Sequence, residues 1–599
     1  MRILGIHDGH NATAALMVDG AIVAAISEER LAHRKNEMGF PALAAKECLR
    51  LGGVTPDDLD VVAFSTRSYG NLNLLKIKRE CTFTVRDWLD EQERRWKPKF
   101  LEGREDAEED YYQWLAQDPR CRQPQAYDLN DIPLVQSAEQ SERMLDRVRK
   151  RYLATELGVP EHKVAVLDHH TCHRHYAYFA SPFRGSPCLI FTNDGGGDGA
   201  NGTVAIAEND SIREVNRNNH SDLGRVYRYI TLLLGMKIGE HEFKVMGLAP
   251  YASDYEVERC GMVFHDLFRI EDGMIAYKNR PRDLFFHFRD RLAHCRFDGI
   301  AAAVQEMVER VGTAWVEHNV RQHDVHRVVF SGGTSLNVKL NKSITQLAGV
   351  EEFYCPASGG DESTALGACY AIQAGSGDPG ACRPARDVFL GPAFSRNAIR
   401  QALTQADLDG PFEIKENVTH ADIASLLARG VIIGRLAGRM EFGARALGNR
   451  SILANPSTPD TVRRINRQIK FRDFWMPFAP SVMDTHAARY LVNPKRTLSD
   501  HMTLCFDTTE QGRRDLAAAL HSADFTARAH IVCPDVNPSY FDLIQEFERL
   551  TGIGAVLNTS FNLHGEPMVC TPEHAIHTFL NSDLDAIQME DVLVMRRRG

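Results

Sequence analysis

Short apolar runs separated by polar turns open the chain and predict a strand followed by a β-hairpin. Ile3–Ile6 is apolar and ends at a polar turn, residues 7–11. The apolar runs Ala14–Val18 and Ala21–Ile26 then flank Asp19-Gly20, a dipeptide typical of two-residue hairpin turns.

Two later apolar runs each lead into a glycine-rich turn. Pro187–Thr192 precedes the acidic turn Asn193–Gly199, and Arg327–Phe330 precedes Ser331–Thr334. A strand, a glycine-rich turn and a helix recur in this way in α/β nucleotide-binding folds. Thr364–Ile372, rich in small residues, predicts a further helix. The pattern favours an α/β fold class.

Changes of composition along the chain predict two domains. At 599 residues the chain is too long for one ordinary core. Residues 374–390 are rich in Gly, Ala, Asp and Pro and are typical of a linker, which gives domains at 1–385 and 386–599. Charged and aromatic residues with helical spacing over about 70–155 predict a helical insertion, whose charges most often form a solvated face.

The composition excludes several classes of protein. Charged residues make up 25% and hydrophobic residues 43% of the chain, and the net charge of −10 disfavours a general nucleic-acid coat. We find no apolar run of about 18 residues and no signal-peptide pattern, so we expect neither membrane nor nucleic-acid partners. Thirteen scattered cysteines fit a reducing cytoplasm.

The segment around His169 and His173 is the main candidate for metal binding. Residues four apart share one helix face, so both rings can face one cation, while His170 points elsewhere. Surface histidines at a helix start are the plain alternative. The acidic turn that contains Asp194, Gly196 and Gly197 adds a second candidate, a loop that faces a phosphate-bearing ligand.

The segment from Arg435 to Arg472 is strongly basic in an acidic chain. It has eight arginines and one lysine but two acids, a local charge of +7. A surface helix and an RNA-binding surface are alternatives. Glycine and asparagine lie between the arginines, which fits a pocket for small phosphates better than a groove for a polymer. The candidate residues of this pocket are Arg439, Arg445, Asn449, Arg450 and Ser451.

Two further segments carry polar side chains suited to the same pocket. Alternation along Lys470-Phe471-Arg472 predicts a strand with both cations on one face. The apolar run Ala555–Leu557 predicts a strand that enters a loop with Asn558, Ser560 and Asn562. Such loops more often use Asn and Ser to form turns.

Taken together, these motifs resemble the ATP-dependent O-carbamoyltransferase family, which includes tobramycin, cephalosporin and nodulation-factor carbamoyltransferases. The most specific matches are Arg439–Pro456, Lys470–Ser481 and Asn558–Pro567. The resemblance implies an actin/Hsp70-like N-terminal domain, similar to tRNA threonylcarbamoyltransferases, and a YrdC-like α/β C-terminal domain. The KxR and SxN pattern of the latter corresponds to Lys470/Arg472 and Ser560/Asn562.

The resemblance also implies a two-step reaction. The C-terminal domain would convert carbamoyl phosphate and ATP, with Mg²⁺, to carbamoyl-adenylate. The N-terminal domain would then transfer the carbamoyl group to a hydroxyl of a small-molecule acceptor, a natural product or a sugar, at a metal site, most often iron. A homodimer is a further expectation.

By this resemblance the metal ligands would be His169, His173 and Asp361, a two-histidine, one-carboxylate set suited to Fe²⁺. From the residues alone, Asp361 is equally a helix cap. The resemblance assigns nucleotide or substrate contacts to Asp194, Gly196, Gly197, Lys244, Gly332, Gly333 and Asn337. In the C-terminal domain it assigns Arg439, Arg445, Arg450, Lys470 and Arg472 to the phosphates.

The first turn departs from the family pattern. Family members often have an aspartate where this chain has Asn11. An amide does not accept a proton near neutral pH, so His10 becomes the candidate general base. The alternative is that His10 only stabilises the turn. Two other functions remain open, an RNA-modifying factor of the tRNA threonylcarbamoylation type and a chaperone-like ATPase.

Overall fold

The computed structural model describes residues 1–69, 72–76, 82–122, 126–408, 411–470 and 472–597. The chain forms two compact units. Unit 1 comprises Met1–Glu28 and Asn36–Ala385, and unit 2 comprises Glu29–Lys35 and Arg386–Gly599. Both units combine helices with mixed sheets, which confirms the predicted α/β class. None of the helices in the described residues has the length and apolar character needed to cross a bilayer.

The first sheet of unit 1 contains the predicted hairpin. Its strands are β1 (Arg2–His7), β2 (Thr13–Val18), β3 (Ala21–Ser27), β4 (Val61–Phe64) and β5 (Val164–Val166), in the order β3-β2-β1-β4-β5. β1 pairs antiparallel with β2, with His7 opposite Thr13, and parallel with β4. The apolar strands are almost entirely buried, as expected for a sheet covered by helices.

The second sheet of unit 1 repeats this topology. Its strands are β6 (Cys188–Gly197), β7 (Ala200–Glu208), β8 (Ser211–Asn218), β11 (Arg327–Ser331) and β12 (Glu352–Tyr354). Their order is β12-β11-β6-β7-β8, again a three-stranded meander followed by two parallel strands. Between these strands along the chain lies a hairpin of β9 (Phe268–Glu271) and β10 (Met274–Tyr277).

The helices of unit 1 flank these sheets along the sequence. α1 (Glu28–Ala32) begins at the end of β3 and continues into the short segment that belongs to unit 2. The others are α2 (Ala42–Gly52), α3 (Asn73–Lys76), α4 (Val85–Glu91), α5 (Lys97–Phe100), α6 (Ala107–Leu115), α7 (Ala138–Glu156), α8 (His169–Ala180), α9 (Leu223–Leu233), α10 (Glu242–Leu248), α11 (Asp254–Gly261), α12 (Leu284–Arg291), α13 (Phe297–His323), α14 (Val338–Gln346) and α15 (Thr364–Gly375).

A buried ion pair attaches the helical segment α3–α7 to the first turn of the chain. Arg149 on α7 donates to both oxygens of Asp8, at 2.5 and 2.8 Å, and to the carbonyl of Thr66. The hydroxyls of Tyr69 and Tyr127 donate to the same carboxylate. Burial alone would raise the pKa of Asp8, but Arg149 and these hydrogen bonds lower it, so the carboxylate stays charged.

Unit 2 is built around one eight-stranded sheet. Its strands are β13 (Phe412–Glu416), β14 (Ile433–Leu436), β15 (Arg450–Ala454), β16 (Ala479–Met483), β19 (His530–Val532), β20 (Ala555–Ser560), β21 (Ala586–Met589) and β22 (Val592–Arg596). The order is β13-β22-β21-β14-β15-β20-β16-β19. Two short strands, β17 (Leu491–Val492) and β18 (Asp507–Thr508), pair separately.

Helices and apolar side chains complete unit 2. The helices are α16 (Arg396–Gln405), α17 (His420–Ala428), α18 (Asp460–Ile465), α19 (Ala487–Tyr490), α20 (Glu510–Asp515), α21 (Pro538–Thr551) and α22 (Pro572–Leu580). One buried cluster joins Ile452 and Leu557 from the sheet with Ile465 and Phe579 from helices. This apolar contact fixes the strands whose ends carry the candidate site.

The predicted strand through Lys470 and Arg472 is wrong. Asn466–Lys470 forms a π-helical turn that continues α18, and residue 471 lies outside the described residues. The turn buries Ile469 in the core of unit 2. Alternation over three residues is too short to distinguish a strand from a helical turn.

Candidate metal centre and candidate anion site

Two histidines and two aspartates converge at the first turn of α8. His169 begins the helix and His173 lies one turn later, so that their Nε2 atoms are 3.1 Å apart. Asp194 Oδ2 lies 3.3 Å from the first nitrogen and 3.0 Å from the second. Asp361 Oδ1 lies 3.6 Å from both. All four ligand atoms lie within 4.8 Å of one another.

The strand topology explains this convergence. β6 and β11 are parallel, with Thr192 opposite Ser331 as their last pair, so the segments that follow this pair lie side by side. The first of these segments, at the end of β6, contains Asp194. β5 leads into α8 at the same kind of edge in the other sheet, after its partner β4. Carboxyl ends of parallel strands therefore deliver ligands that are far apart in sequence.

The spacing of the four atoms fits a single divalent cation. Ligand atoms about 2.1 Å from one ion lie roughly 3.0–3.5 Å apart in tetrahedral or octahedral geometry. The separations that involve a histidine nitrogen are 3.0–3.6 Å. Two imidazoles and two carboxylates form a mixed nitrogen and oxygen set that suits first-row metals. Asp194 is thus a fourth candidate ligand beside the three predicted ones.

The electrostatics of the cluster favour positive charge. Burial alone would lower the pKa of His173, but Asp194 and Asp361 raise it to about 9. The pKa of His169 is also raised, against burial, with Asp361 as the strongest favourable partner. Hydrogen bonds from the histidines overcome burial and hold the pKa of Asp194 well below its usual range. The Asp194 carboxylate is therefore ionised and ready to bind a cation.

Neighbouring groups hold the two histidines in place. Asp198 accepts the backbone N–H of His169 at 2.8 Å, and His173 Nδ1 faces Ser331 Oγ at 3.5 Å. His170 instead contacts Thr192 Oγ1 at 2.8 Å, and burial lowers its pKa to about 3. It points away from the cluster, as its helical position predicts.

The predicted glycines lie close against this centre. A Cβ at Gly197 would come within 2.4 Å of the His169 ring, and one at Gly333 within 3.1 Å of Asp194 Oδ1. Gly332 has φ +90°, and a Cβ there would come within 2.2 Å of the Asn193 carbonyl oxygen. A Cβ at Gly196 would come within 2.9 Å of the Arg225 side chain. At Gly197 and Gly333 the absence of a side chain is thus explained by packing against the candidate metal ligands.

Of the first-turn candidates, Asn11 adopts a left-handed conformation and His10 lies near α10. Asn11 has φ +58°, a conformation that asparagine tolerates, and its Oδ1 is buried with no partner among the described residues. The ring of His10 approaches Gly239, two residues before His241, the N-cap of α10. Lys244 lies on that helix.

His7 links the first turn to the metal centre and was missed by sequence reasoning. Its Nδ1 lies 3.1 Å from both Ser65 Oγ and Thr364 Oγ1. Thr364 Oγ1 in turn donates to the carbonyl of Asp361. Burial lowers the pKa of His7 to about 4, so the ring is neutral. A lone histidine at a strand end gives no sequence signal for this role.

The side chain of Asn337 is hydrogen-bonded to neighbouring protein groups. Its Oδ1 caps α14 by accepting the Leu340 N–H at 3.0 Å, and its amide pairs with Gln305. These bonds explain the residue without a nucleotide.

In unit 2, Lys470 meets the loop that follows β20. Its Nζ donates to Asn562 Oδ1, to the Asn562 carbonyl at 3.0 Å and to Ser560 Oγ at 3.3 Å. Ser560 Oγ also donates to Asn562 Oδ1 at 2.8 Å. The residues of the KxR and SxN pattern, 90 positions apart, are therefore brought together. Burial, with Arg472 and Lys35 nearby, lowers the pKa of Lys470 well below its usual range.

Three arginines form a cluster of like charge in unit 2. Burial and Arg445 lower the pKa of Arg472 to about 10. Burial, Arg445 and Arg472 lower the pKa of Arg528 still more strongly, and its Nε is buried with no hydrogen-bond partner among the described residues. Mutual repulsion of half-buried guanidiniums is costly unless an anion neutralises them. Arg445, Arg472 and Arg528 are therefore a candidate anion site.

Sequence reasoning missed Arg528. It follows the apolar and aromatic stretch after α20 and stands outside the basic segment, so local charge gave no signal for it. Only the sheet order, with β19 next to β16, brings it to the site.

Arg439 and Arg450 are bonded mainly to the backbone. Arg450 is fully buried and donates to the carbonyls of five residues, Cys570, Ala437, Gly438, Asn449 and Pro392. Arg439 donates to the carbonyls of Gly391 and Leu390. Arg450 therefore stabilises the fold, and its predicted phosphate contact is not supported by these bonds.

The remaining candidates of the loop also have structural partners. Asn449 donates to the Arg439 carbonyl, Ser451 accepts the Gly448 N–H, and Asn558 donates to the Ala446 carbonyl. Glu441, which sequence reasoning missed, accepts the N–H groups of Leu447, Asn449 and Arg450. This carboxylate organises the loop that carries Arg445.

Family models match most of the chain. The carbamoyltransferase N-terminus model covers residues 2–370, and the carbamoyltransferase C-terminus model covers residues 424–596.

Individual proteins are similar over long stretches. Nodulation protein NolNO of Sinorhizobium fredii is 28% identical, covering 98% of this chain and 79% of the relative. Nodulation protein NolO of Bradyrhizobium diazoefficiens is 30% identical, covering 72% and 79%. Among solved structures, full-length HypF in a phosphate- and nucleotide-bound form is 11% identical, covering 64% of this chain and 56% of that one, with a TM-score of 0.31, too low to define the fold. The two family models, together spanning both units, show that this chain belongs to the carbamoyltransferase family and is an enzyme of that class.

Proposed function

We propose that this enzyme is an ATP-dependent O-carbamoyltransferase with two sites. In unit 2, carbamoyl phosphate, ATP and water would give carbamoyl-adenylate, pyrophosphate and phosphate. In unit 1, a hydroxyl of a small-molecule acceptor, a natural product or a sugar, would take the carbamoyl group and release AMP. The cluster of Arg445, Arg472 and Arg528 is the observation that carries the proposal.

The cation cluster has the chemistry that the first step requires. Phosphate groups of two anionic substrates repel each other, and guanidinium groups in a poorly solvated pocket offset that repulsion. Arg528 in particular has a buried donor that needs an acceptor. Lys470 would hold the Ser560 and Asn562 loop against the reacting groups, and Mg²⁺ would accompany ATP.

The metal centre of unit 1 suits the transfer step. A divalent ion, with Fe²⁺ proposed on the basis of its donor set, would supply a Lewis acid that polarises the carbamoyl carbonyl. His169, His173, Asp194 and Asp361 would hold it. Gly197 and Gly333 let the His169 ring and the Asp194 carboxylate pack closely against the backbone.

His10 is the proposed base for the acceptor hydroxyl. Its charge interacts with the buried acids Glu242 and Glu362, and burial raises the pKa of both. An imidazole suits this role, because one ring nitrogen can accept a proton from a hydroxyl. Asn11 would contribute a hydrogen bond rather than proton transfer.

The alternative of RNA binding loses support from the basic segment. Arg435 and Arg450 of that segment are almost fully buried and bond to internal groups. Their charges do not form the exposed surface that a polymer of phosphates needs.

The proposal is tested by supplying carbamoyl phosphate and ATP without an acceptor. We expect release of pyrophosphate and AMP that depends on both substrates, since free carbamoyl-adenylate hydrolyses. Release of ADP instead, or no pyrophosphate under any metal condition, would refute the activation step.

A further inference from the structure

His7, the last residue of β1, lies between the first turn of the chain and the candidate metal centre. We propose that His7 is a positioning residue that holds the backbone of the candidate ligand Asp361 and the turn that carries His10. It acts through hydrogen bonds of its two ring nitrogens rather than by binding the ion itself. The inference rests on the transfer step proposed for unit 1 only in naming Asp361 and His10 as functional groups.

Close packing of β1 against α15 brings His7 to this position. A Cβ at Gly5 would collide with the carbonyl oxygen of Ala365, so the strand and the helix approach each other backbone to backbone. Thr364 begins α15, and its Oγ1 lies 3.1 Å from His7 Nδ1. Ser65 follows the parallel strand β4, and its Oγ lies at the same distance from Nδ1. The three side chains are almost completely buried, so bulk water does not compete for these contacts.

The partners of the His7 ring define which nitrogen carries the proton. His7 Nε2 lies 3.1 Å from the carbonyl oxygen of His10, which can only accept a hydrogen bond, so Nε2 is the donor. Burial lowers the pKa of His7 to about 4, so the neutral ring has a single N–H group and Nδ1 is an acceptor. This tautomer ties the ring to the backbone of the first turn.

Two hydroxyls extend the hydrogen bonds from the ring to Asp361. Thr364 Oγ1 donates to the Asp361 carbonyl at 2.5 Å, which leaves Ser65 Oγ to donate to His7 Nδ1. The two hydroxyl oxygens lie 2.7 Å apart. This arrangement gives a donor to the Asp361 carbonyl, to Nδ1 and to the His10 carbonyl, so a buried polar network connects the candidate base to the candidate ligand.

Asp361 is the candidate ligand that most needs such support. Its side chain is 27% exposed, whereas that of Asp194 is 14% exposed and those of the two histidines are almost completely buried. It begins a single 3₁₀ turn that leads into α15 and is not part of a paired strand. The position of its carboxylate relative to α8 therefore depends on the hydrogen bonds at the start of α15. Removal of partners of this kind typically weakens metal binding by roughly 10–100-fold.

Binding of Co²⁺ to the full chain tests the inference, because this ion takes nitrogen and oxygen ligands and reports their geometry by its visible absorption. Calorimetry gives the affinity. We expect His7→Leu, which has a similar volume but forms no hydrogen bond, to weaken Co²⁺ binding about tenfold and to change the absorption spectrum. His7→Asn places an amide oxygen near the position of Nδ1 and should keep the affinity within about threefold.

His530→Leu is the matched control for loss of a buried histidine. His530 is also buried, has a pKa lowered by burial and forms a hydrogen bond with Ser481, but it belongs to unit 2. We expect this variant to lose stability and to bind Co²⁺ like the unchanged protein. A loss of Co²⁺ affinity that follows stability alone would appear in both leucine variants.

NMR of the full chain labelled with ¹⁵N at histidine tests the tautomer. The ¹⁵N shifts of a ring distinguish a protonated from an unprotonated nitrogen, and the signals that disappear in His7→Asn belong to His7. We expect a proton on Nε2 and none on Nδ1. A proton on Nδ1 alone would overturn the link between His7 and the first turn.

The outcomes separate this inference from the proposed reaction. Unchanged Co²⁺ affinity and spectrum in His7→Leu, or equal losses in His7→Leu and His530→Leu, would overturn the inference and leave the metal centre in place. No Co²⁺ binding by the unchanged protein would overturn both. Binding that depends on His7, without any pyrophosphate release from ATP and carbamoyl phosphate, would support the inference and contradict the proposed reaction.

Discussion

Asp194 is the acidic residue closest to both histidine nitrogens of the metal centre, at 3.0 and 3.3 Å, whereas Asp361 lies 3.6 Å from each. It directly follows Thr192 and Asn193, which pair with β11 and β7 in the central strand β6. We therefore propose Asp194 as a full ligand of the ion.

Loss of one ligand should abolish tight metal binding. His173→Ala leaves three donors, and we expect the metal affinity to fall by about 100-fold or more, beyond the range typical of changes to outer partners. Metal content by mass spectrometry and a titration with Fe²⁺ under anaerobic conditions measure the change. His170→Asn should keep the metal, because His170 faces Thr192. Equal metal loss in both variants would show that the cluster is not the binding site.

We expect the Arg528 side chain to destabilise the folded state of unit 2 and to be necessary for binding an anionic substrate. Arg528→Met removes a desolvated charge that is repelled by Arg445 and Arg472. We expect the unfolding temperature of unit 2 to rise by about 2–4 °C, corresponding to about 1 kcal/mol. The rate of pyrophosphate formation should fall by about 100-fold. A variant with lower stability and unchanged rate would contradict the assignment.

At the scale of secondary-structure elements, α7 stabilises the first turn through Arg149 and Asp8. Removing one partner leaves a buried charge without compensation. Arg149→Met should lower the free energy of unfolding of unit 1 by about 3–5 kcal/mol, measured by denaturant titration. Adding Asp8→Asn should recover part of the loss, since the neutral amide costs less to bury. Additive effects of the two changes would show that the pair is not coupled.

The elements also show what the sequence could predict. The hairpin of β2 and β3, the strands before both glycine turns and the helix through His169 follow from periodicity and turn residues, because these signals are local. The π-helical turn at Asn466–Lys470 does not follow from local signals, because the burial of Ile469 in the core determines it.

The grouping of residues was predictable where a motif fixes it, as for His169 with His173 and for Lys470 with Ser560 and Asn562. Arg450 shows the limit, because an arginine in a glycine-rich loop looks the same in sequence whether it binds phosphate or backbone carbonyls. Arg528 shows a second limit of sequence-based prediction, because only long-range strand pairing brings it to the candidate anion site.

At the scale of the whole molecule, buried neutral histidines make stability depend on pH. Burial is the main cause that lowers the pKa of His7, His175 and His574 to about 4 and that of His170 and His530 to about 3. In the unfolded chain these groups titrate near 6.5. Between pH 6.5 and 4 the unfolded state therefore binds more protons, and stability falls as pH decreases, by up to about 1.4 kcal/mol per pH unit and group.

Scanning calorimetry at pH 7.5, 6.5 and 5.5 checks this expectation. His169 and His173 have raised pKa values, so they add stability as pH falls from 7.5 to 6.5, whereas below pH 6 they are protonated in both states and no longer change the slope. Glu242 and Glu362, whose pKa values are raised by burial, offset part of the loss at the lowest pH. An unfolding temperature that stays constant or rises between pH 6.5 and 5.5 would contradict the assignment of these rings as buried and neutral.

The central claim is that activation and transfer occur at separate sites in the two units. Pyrophosphate formation from ATP and carbamoyl phosphate, compared between Lys470→Ala and His173→Ala, tests it most directly. The account predicts that the first variant loses this reaction, while the second keeps it within about twofold and loses only its metal. Equal loss of pyrophosphate formation in both variants would contradict the division of labour.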